Sequence, residues 1–395
     1  MAKREDEDIS DYEVDINCYL YNTRTGSRIL NLPFFDGGWT QSRNTAEEIK
    51  VKIPVYDPAV AALDLNNAAT AGQASLAIEE NERFMGAGPV WDPVYDRDNE
   101  LFDLGGSGVW NYFKKRTIQK VAALTQAMID PTTGKPTPAT TSTWSGLSLG
   151  TIMKRALQQS MLMPGGNIPL VFQPDEAGIH TRTVNASDLK YIDSFLQQAT
   201  EVENGPEARF VAEWNANQDG IQQRFITGTN ARPELYSDTI HEWNLSAGAP
   251  GVRGFKTKTG LDNLASLAWL TGGRQGDNVI TAVSLNRLLI DADFPLFEAT
   301  QTRSTVVLQS TLQSYANEMT RYGTSISQNW EFEVRSDRTP MVGEYNVGDF
   351  CNVTIEGDPI IPNGTYTRRI VSISRESFLT PWIKLQTEGV FVYGR

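Results

Sequence analysis

The residues that could carry chemistry are few in this chain, and their spacing does not match a reactive site. The sequence has 395 residues and two histidines, His180 and His241. A Ser-His-Asp site or a histidine-based zinc site needs at least one histidine held among partners on a fixed scaffold. His180 follows Asp175-Glu176-Ala177-Gly178, which is typical of an exposed hairpin turn, and His241 stands in a strand-like run. Structural roles are therefore predicted for both, and the sequence contains no HExxH or CxxC pattern.

Two other groups of residues suggest a disulfide or a metal site and are better explained as ordinary structure. Cys18 and Cys351, the two cysteines, lie far apart in the sequence, and buried free thiols are favoured over a disulfide. Asp96-Arg97-Asp98-Asn99-Glu100 begins like a calcium loop. However, Leu101 and Ser107 occupy the positions where an EF-hand needs glycine and a bidentate acid. A tight turn between two strands is predicted there.

A cell-wall hydrolase and a carbohydrate-binding module stay open as weaker alternatives. A glycosidase needs only two carboxylates, yet no acidic residue stands in an apolar setting that would raise its pKa. The tryptophans are spread along the chain, about one per element, which is typical of core or interface anchors. They are Trp39, Trp91, Trp110, Trp144, Trp214, Trp243, Trp269, Trp330 and Trp382. The sequence therefore assigns no catalytic, cofactor-binding or metal-ligating residue, and it predicts no cofactor.

The charge balance excludes further classes of function. The formal net charge is −13, so binding to a phosphate backbone or to an anionic membrane surface is disfavoured by repulsion. No apolar run approaches the length of a membrane span. Residues 1–8 are charged and carry no apolar stretch, so no signal peptide is expected, and the free thiols fit synthesis in the cytoplasm.

The first 118 residues predict closely spaced strands. Tyr12, Val14, Ile16, Cys18 and Leu20 alternate with polar residues, as in a strand with one buried face. Further strands are predicted at 28–35, 49–55, 74–80, 83–91 and 100–106, with a turn at Asp36-Gly37-Gly38. This spacing predicts an N-terminal β-barrel domain over residues 1–118.

The rest of the chain predicts a helical lobe and a second β-domain. Residues 119–205 are predicted as a Pro/Thr-rich loop over 120–145 followed by two helices. One helix is capped by Ser148, and the other begins at Ser187 and buries Leu189 with Phe195. Residues 206–395 predict a second small β-barrel with one embedded helix over 304–323, capped by Ser304 and ended by Gly323. The fold class is thus mainly β with α insertions.

An ordered series of motifs resembles one protein family. Gly88-Pro89-Val90-Trp91, Tyr95-Asp96-Arg97-Asp98, Leu101 to Gly108, and Val109-Trp110-Asn111-Tyr112-Phe113 with Arg116 follow one another. Segments 144–152, 174–182, 196–206 and 345–349 continue the order. The series resembles minor tail proteins of the tail-hub family, in particular those of siphophages that infect actinobacteria. Val90 and Val109 stand where that family often has isoleucine and leucine.

The resemblance implies a structural protein of the virion and not an enzyme. Members of the family resemble the hub of contractile baseplates, with two related β-barrels per subunit and a homotrimeric ring at the tail tip. The ring joins the six-fold distal tail protein to three-fold tip components, contacts the tape measure protein and tail fibre or receptor-binding proteins, and lets DNA pass on ejection. An acidic lumen would repel that DNA. Another tail-tip structural protein, such as the distal tail or a receptor-binding subunit, is the main alternative.

Overall fold

The strand over Glu48–Pro54 shows how the sequence pattern builds the fold. Ile49, Val51 and Ile53 are at most 2% exposed, whereas Glu48 and Lys50 at alternate positions face solvent. Successive side chains of a strand point to opposite faces, so this pattern buries one face and leaves the other to water.

The structure is a computed structural model that describes residues 15–246, 251–260, 264–275, 278–303, 306–323 and 326–391. The chain is 44% strand and 17% helix, which confirms a mainly β fold with helical insertions. The strands are β1 Ile16–Asn22, β2 Arg28–Asn31, β3 Asp36–Ser42, β4 Glu48–Pro54, β5 Ala74–Glu80, β6 Arg83–Pro89, β7 Val94–Asp96, β8 Leu101–Ser107, β9 Ser142–Leu147, β10 Leu170–Phe172, β11 Ala177–Val184, β12 Ala208–Trp214, β13 Ile221–Thr227, β14 His241–Asn244, β15 Val252–Thr259, β16 Leu267–Gln275, β17 Asn278–Leu285, β18 Glu298–Arg303, β19 Ile326–Arg335, β20 Phe350–Ile355, β21 Gly364–Arg375 and β22 Trp382–Phe391. The helices are α1 Pro58–Ala61, α2 Leu65–Ala68, α3 Val109–Tyr112, α4 Leu149–Met161, α5 Ile192–Thr200 and α6 Gln309–Gly323.

A ten-stranded sheet, here the main sheet, joins strands from both ends of the chain. Its order is β15-β19-β22-β21-β3-β4-β8-β7, with β20 beside β21 and β14 beside β20. Strand β3 pairs antiparallel with β21 on one side and with β4 on the other. The N-terminal and C-terminal segments therefore share one hydrogen-bonded ladder.

A second sheet, β2-β1-β5-β6, shares a hydrophobic core with the main sheet. Leu20 and Ile78 come from this N-terminal sheet, and Ile53, Trp330 and Phe332 come from the main sheet. All five side chains are at most 1% exposed, so each contributes nearly its full transfer free energy from water.

Two smaller cores lie beside this one. Helices α3, α4 and α5 pack with β12 and β13 around buried residues such as Trp110, Ile152 and Phe210. Strands β17-β16-β18 form a three-stranded sheet, here the outer sheet, with one face packed on α6 through Leu312 and Ala316. No helix among the described residues combines the length and apolar character that crossing a membrane requires.

Several predictions of structure are wrong, each for a reason visible in the packing. The described strands form open sheets with no closed barrel, because β3 is inserted in a ladder that runs on into the C-terminal strands. Asp36-Gly37-Gly38 begins a strand, not a turn. A Cβ at Gly37 would lie 2.4 Å from the Phe378 ring, so glycine permits close approach here.

The helical predictions need smaller corrections. Ser148 caps α4 as predicted, through a hydrogen bond of 3.1 Å from the Thr151 amide. The next helix begins at Ile192 and not at Ser187, because Leu189 adopts a left-handed conformation and is exposed. The embedded helix begins at Gln309 and ends at Gly323, and the predicted cap Ser304 lies outside the described residues, as do Tyr12 and Val14.

Seven strands lie where the sequence predicts none: β3, β7, β9, β10, β11, β15 and β18. Strand β9 falls at the end of the predicted loop, and β15 and β18 are polar strands without a clear period of two. The division into domains at residues 118 and 206 stays a prediction, and the pairing of β3 with β21 crosses both boundaries.

Replacing Ile373 tests the strand that joins the two segments. Ile373 of β21 is 2% exposed, belongs to the main core and lies opposite Gln41 of β3. We expect Ile373→Ala to lower the free energy of unfolding by about 2–5 kcal/mol, because it leaves a cavity in a packed core. Urea denaturation followed by circular dichroism measures the loss.

Ile360 supplies the matched control, since its side chain is 83% exposed. Ile360→Ala should change the free energy of unfolding by less than about 0.5 kcal/mol. Equal effects at the two positions would contradict the assignment of β21 to the shared core.

Candidate functional site

The cysteines and histidines for which the sequence predicts structural roles lie in strands of the fold. Cys18 and Cys351 are buried free thiols, as predicted, and burial raises the pKa of both, that of Cys351 to about 12. His241 is buried in β14, with Nε2 3.9 Å from Oδ2 of Asp349. His180 lies within β11 and not in a turn. Within the described ranges, no group of three or more His, Cys, Asp or Glu residues could hold a metal ion.

The segment Gly146-Leu147-Ser148-Leu149-Gly150 fits the G-x-S-x-G signature of serine hydrolases. Ser148 lies between strand β9 and helix α4, as that signature requires. Its hydroxyl, however, accepts from the Thr151 amide at 3.1 Å and donates to the Thr151 hydroxyl at 3.1 Å. The residue is 3% exposed and has ordinary extended dihedrals, so its geometry is that of a helix cap and not of an exposed nucleophile.

A cluster of charges with a buried centre and a half-buried edge, here the Glu207 cluster, connects three parts of the chain. It consists of Arg43, Glu207, Arg369 and Glu388. The Arg369 guanidinium donates two hydrogen bonds to the Glu207 carboxylate, at 2.9 and 2.7 Å, and a third to the Gly348 carbonyl at 2.9 Å. Arg43 lies 3.6 Å from Glu207 and donates to Glu388 at 2.7 Å.

This arrangement satisfies the charges of residues that are distant in sequence. Glu207 and Arg369 are 162 positions apart, and Arg43 and Glu388 are 345 positions apart. Removing one member of such a buried pair leaves an uncompensated charge in a poorly solvated place. The cluster therefore cross-links the segment before β12 to strands β21 and β22, and it has no free reactive group.

A second buried pair lies deeper in the main core. Glu80 is 3.3 Å from the Arg375 guanidinium and accepts from the Trp39 indole at 3.0 Å, and Arg375 also donates to the Ser336 hydroxyl at 2.7 Å. Burial raises the pKa of Glu80, and the neighbouring guanidinium opposes that shift. These contacts connect β5, β3 and β21 across the two sheets.

A cavity of about 110 Å³ adjoins the Glu207 cluster. Its lining includes Glu47, Glu207, Arg209 and Gln223. Burial raises the pKa of Glu47 to about 7, against a smaller lowering by Arg209, so the prediction that no acidic residue has a setting that raises its pKa is wrong. A cavity of this kind, with most of its polar groups already paired, is too small and too fully bonded for a substrate site.

The exposed face of the outer sheet carries a group of exposed apolar side chains. Trp269, Val279, Val283 and Leu285 lie on this face and are between 43% and 55% exposed. Trp269 stands directly opposite Val283 in the antiparallel ladder, and Leu267 stands opposite Leu285. Alternate residues on the same strands, including Ala268 and Ala282, pack on α6, whereas the exposed face also carries the polar residues Glu298 and Thr300 of β18 beside Trp269.

Side chains of α6 cover one edge of the outer sheet. On the β17 edge, Gln309 Nε2 of α6 donates to the Thr281 carbonyl at 2.6 Å, and Gln313 Nε2 donates to the Val283 carbonyl at 2.9 Å. These glutamines satisfy carbonyl groups that would otherwise attract another strand. This edge is thus blocked, which favours contact through the side chains of the exposed face over extension of the sheet along that edge.

Two solved structures share this fold over nearly their whole length. One is the 43 kDa tail protein of prophage MuSo2 from Shewanella oneidensis, which is 11% identical with a TM-score of 0.53 over 94% of this chain and 96% of that chain. The other is the tail protein from Neisseria meningitidis MC58, which is 9% identical with a TM-score of 0.56 over 95% of this chain and 96% of that chain. At this low identity the likeness establishes a common fold. Neither a protein-family model nor a curated protein sequence matches the chain.

Removing one partner of the Glu207–Arg369 pair tests the role of the cluster. We expect Arg369→Ala to lower the free energy of unfolding by about 3–5 kcal/mol, because the buried Glu207 carboxylate loses its bidentate partner. The control is Arg224→Ala, which breaks the more exposed bidentate pair with Glu213 and should cost at most about 1 kcal/mol. Chemical denaturation compares the two variants, and similar losses would contradict a special role for the buried cluster.

The raised pKa of Glu47 predicts that the free energy of unfolding depends on pH. Its pKa in the folded protein, about 7, lies above the ordinary value of 4.5, so the folded state holds the proton more tightly than the unfolded state. The resulting contribution to stability is fully present below about pH 4.5 and is lost as the pH rises through 7.

Glu47→Gln keeps a neutral side chain at every pH, so it should stabilise the protein at pH 8 by roughly 1–3 kcal/mol and leave stability at pH 4.5 nearly unchanged. Thermal unfolding between pH 4.5 and 8 measures the difference. An identical pH profile for both proteins would show that Glu47 titrates at its ordinary pKa.

Proposed function

We propose that this chain is a structural protein of a bacteriophage tail, a hub-type minor tail protein that forms a ring at the tail tip. The observation that supports the proposal most is the shared fold with two tail proteins, which extends over 94% or more of every chain compared. The motif order between residues 88 and 116, which resembles minor tail proteins of siphophages infecting actinobacteria, supports the same assignment.

The exposed face of the outer sheet is the proposed assembly surface. A tryptophan opposite a valine, flanked by further aliphatic side chains, resembles the apolar centre of a protein interface. Monomeric proteins rarely leave such a contiguous patch to water. We propose that the partner is another copy of the chain, so that three copies close into a homotrimeric ring.

The proposed ring lies between components of different symmetry. It joins the six-fold distal tail protein to three-fold tip components, and it contacts the tape measure protein and tail fibre or receptor-binding proteins. DNA crosses its lumen during ejection, and the net charge of −13 would keep the duplex from adhering to the wall.

A non-catalytic role is consistent with the described side chains. The buried charges at Glu207 and Glu80 are held by arginines as cross-links, and Ser148 caps a helix. The main alternative is another tail-tip protein, and copy number separates the two: a hub forms a ring of three and a distal tail protein a ring of six.

A charge placed on the outer sheet tests the assembly surface. We expect Trp269→Asp to abolish ring formation, because an ionised carboxylate would have to be desolvated at the interface. The monomer should stay folded with a modest loss of thermal stability, because Trp269 is 46% exposed and its indole donates to the Glu298 carboxylate at 2.8 Å. Mass photometry of the purified protein and cryo-electron microscopy of virions give the copy number.

Ile179→Asp is the control, because Ile179 is 92% exposed on β11, outside the outer sheet. This variant should assemble as the parent chain does. Rings of six, or clearing of host cell wall by the purified protein in a zymogram, would contradict the hub proposal. The same reconstruction gives the potential of the inner wall, and a strongly basic lumen would contradict the proposed role of the acidic charge.

A further inference from the structure

A groove of about 690 Å³ crosses the outer face of the main sheet over β3, β4 and β8. It is here called the Lys50 groove, and its lining includes Gly38, Lys50, Trp91, Gly105, Asn111 and Lys114. Lys50 of β4 stands directly opposite Gly38 of β3 and Gly105 of β8. Its volume falls in the range of small-molecule sites, which spans roughly 300–1,000 Å³.

Glycines flank Lys50 on both sides, but only one of them leaves open space. A Cβ at Gly38 would lie 2.5 Å from the Arg375 carbonyl oxygen, so the backbone at the end of β21 covers that position. A Cβ added at Gly105 would meet no atom within 4 Å, so open space lies above this position. The backbone of Gly105 has no positive φ that would require glycine. The absence of a side chain here therefore creates space in the groove and is not needed for the fold of the strand.

The walls are of two kinds. On one side, Trp91 is fixed by a backbone hydrogen bond to the Gly105 carbonyl at 3.1 Å. Trp91 lines the groove, and its indole Nε1 is buried without a hydrogen-bond partner among the residues that the structure describes. On another side, Asn111 of α3 and Lys114 and Lys115 of the following turn supply polar groups.

The rim mixes groups that only donate hydrogen bonds with groups that only accept them. Lys50, Lys114 and Lys115 donate, whereas Glu48 and Asp92 accept. None of these five forms an ion pair within the part of the chain that the structure describes, in contrast to Glu376, which pairs with Lys384. The carboxylates would repel a polyanion. A peptide strand would find no open edge, because β4 is paired on both sides.

We propose that the Lys50 groove is a binding site for an oligosaccharide. Sugar hydroxyls both donate and accept, so they match a rim that carries ammonium and carboxylate groups together. The apolar C–H face of a pyranose can lie over Gly105 and against the Trp91 ring. This site is separate from the outer sheet, and it does not depend on the hub proposal.

The test uses the full chain and an oligosaccharide array that carries neutral, amino and acidic sugars. The best array ligand is then titrated by isothermal titration calorimetry. Gly105→Val fills the open space with a residue suited to a strand and should weaken binding at least about ten-fold. Trp91→Ala should weaken it by a similar factor through loss of the aromatic wall.

Thr181→Val is the matched control, because Thr181 is an exposed strand residue on β11, outside both the groove and the outer sheet, and binding should stay within about two-fold of the parent chain. Thermal melts confirm that each variant is folded, and Lys50→Ala replaces either groove variant that is not. Absence of saturable binding on the array overturns the proposal, as does equal binding by folded groove variants. Binding of inorganic polyphosphate or poly-glutamate without any sugar would also overturn it, since it would identify a plain anion site.

Discussion

Pairing of β3 with β21 is the constraint on which the rest of the fold depends. The two strands contribute to one antiparallel ladder although Ser42 and Ser372, whose hydroxyls hydrogen-bond at 3.0 Å, are 330 residues apart. Gly37 and Gly38 allow β3 to approach Phe378 and the backbone at Arg375 closely. Once this pairing forms, the N-terminal sheet, the main core and the final strands have fixed positions. Closing so long a loop costs conformational entropy, which the shared apolar core offsets.

The buried charges add specificity to this apolar framework. Glu80 with Arg375 and Glu207 with Arg369 each join segments that are far apart in sequence, and their hydrogen bonds have narrow geometric requirements. A buried ion pair contributes little net stability compared with a well-packed apolar pair, but a mispaired arrangement leaves a charge without a partner. Alternative pairings of the many strands are thereby disfavoured.

The surface presents two regions of different character. The outer sheet carries Trp269 and aliphatic residues, which suit contact with another protein surface. The Lys50 groove is polar, open above Gly105 and mixed in charge, which suits a small polar ligand. Both regions lie on sheet faces whose reverse sides are buried, so the cores hold them rigid.

Much of the local structure follows from the sequence alone. Alternation of apolar residues predicts β4 and β21, helical periodicity with Ser148 as a cap predicts α4, and the scarcity of histidine argues against metal and triad chemistry. Such patterns are readable because they depend on neighbours within a few positions. Polar strands such as β18 were missed because tertiary partners, not their own side chains, keep them extended.

Only the tertiary structure decided which residues meet. In the sequence, Gly37 and Gly38 suggest a turn, and only the structure shows that Phe378 packs against Gly37. Only the structure places Gly105 beside Lys50. Likewise, the sequence does not distinguish Glu207 from the other acidic residues, 48 in all, and only the structure shows its hydrogen-bonded ion pair with Arg369. The sequence determined a mainly β, acidic chain with capped helices, because those properties are local or additive. The shared sheet, the buried charge pairs and the two surfaces arise from contacts between distant segments, which no local pattern specifies.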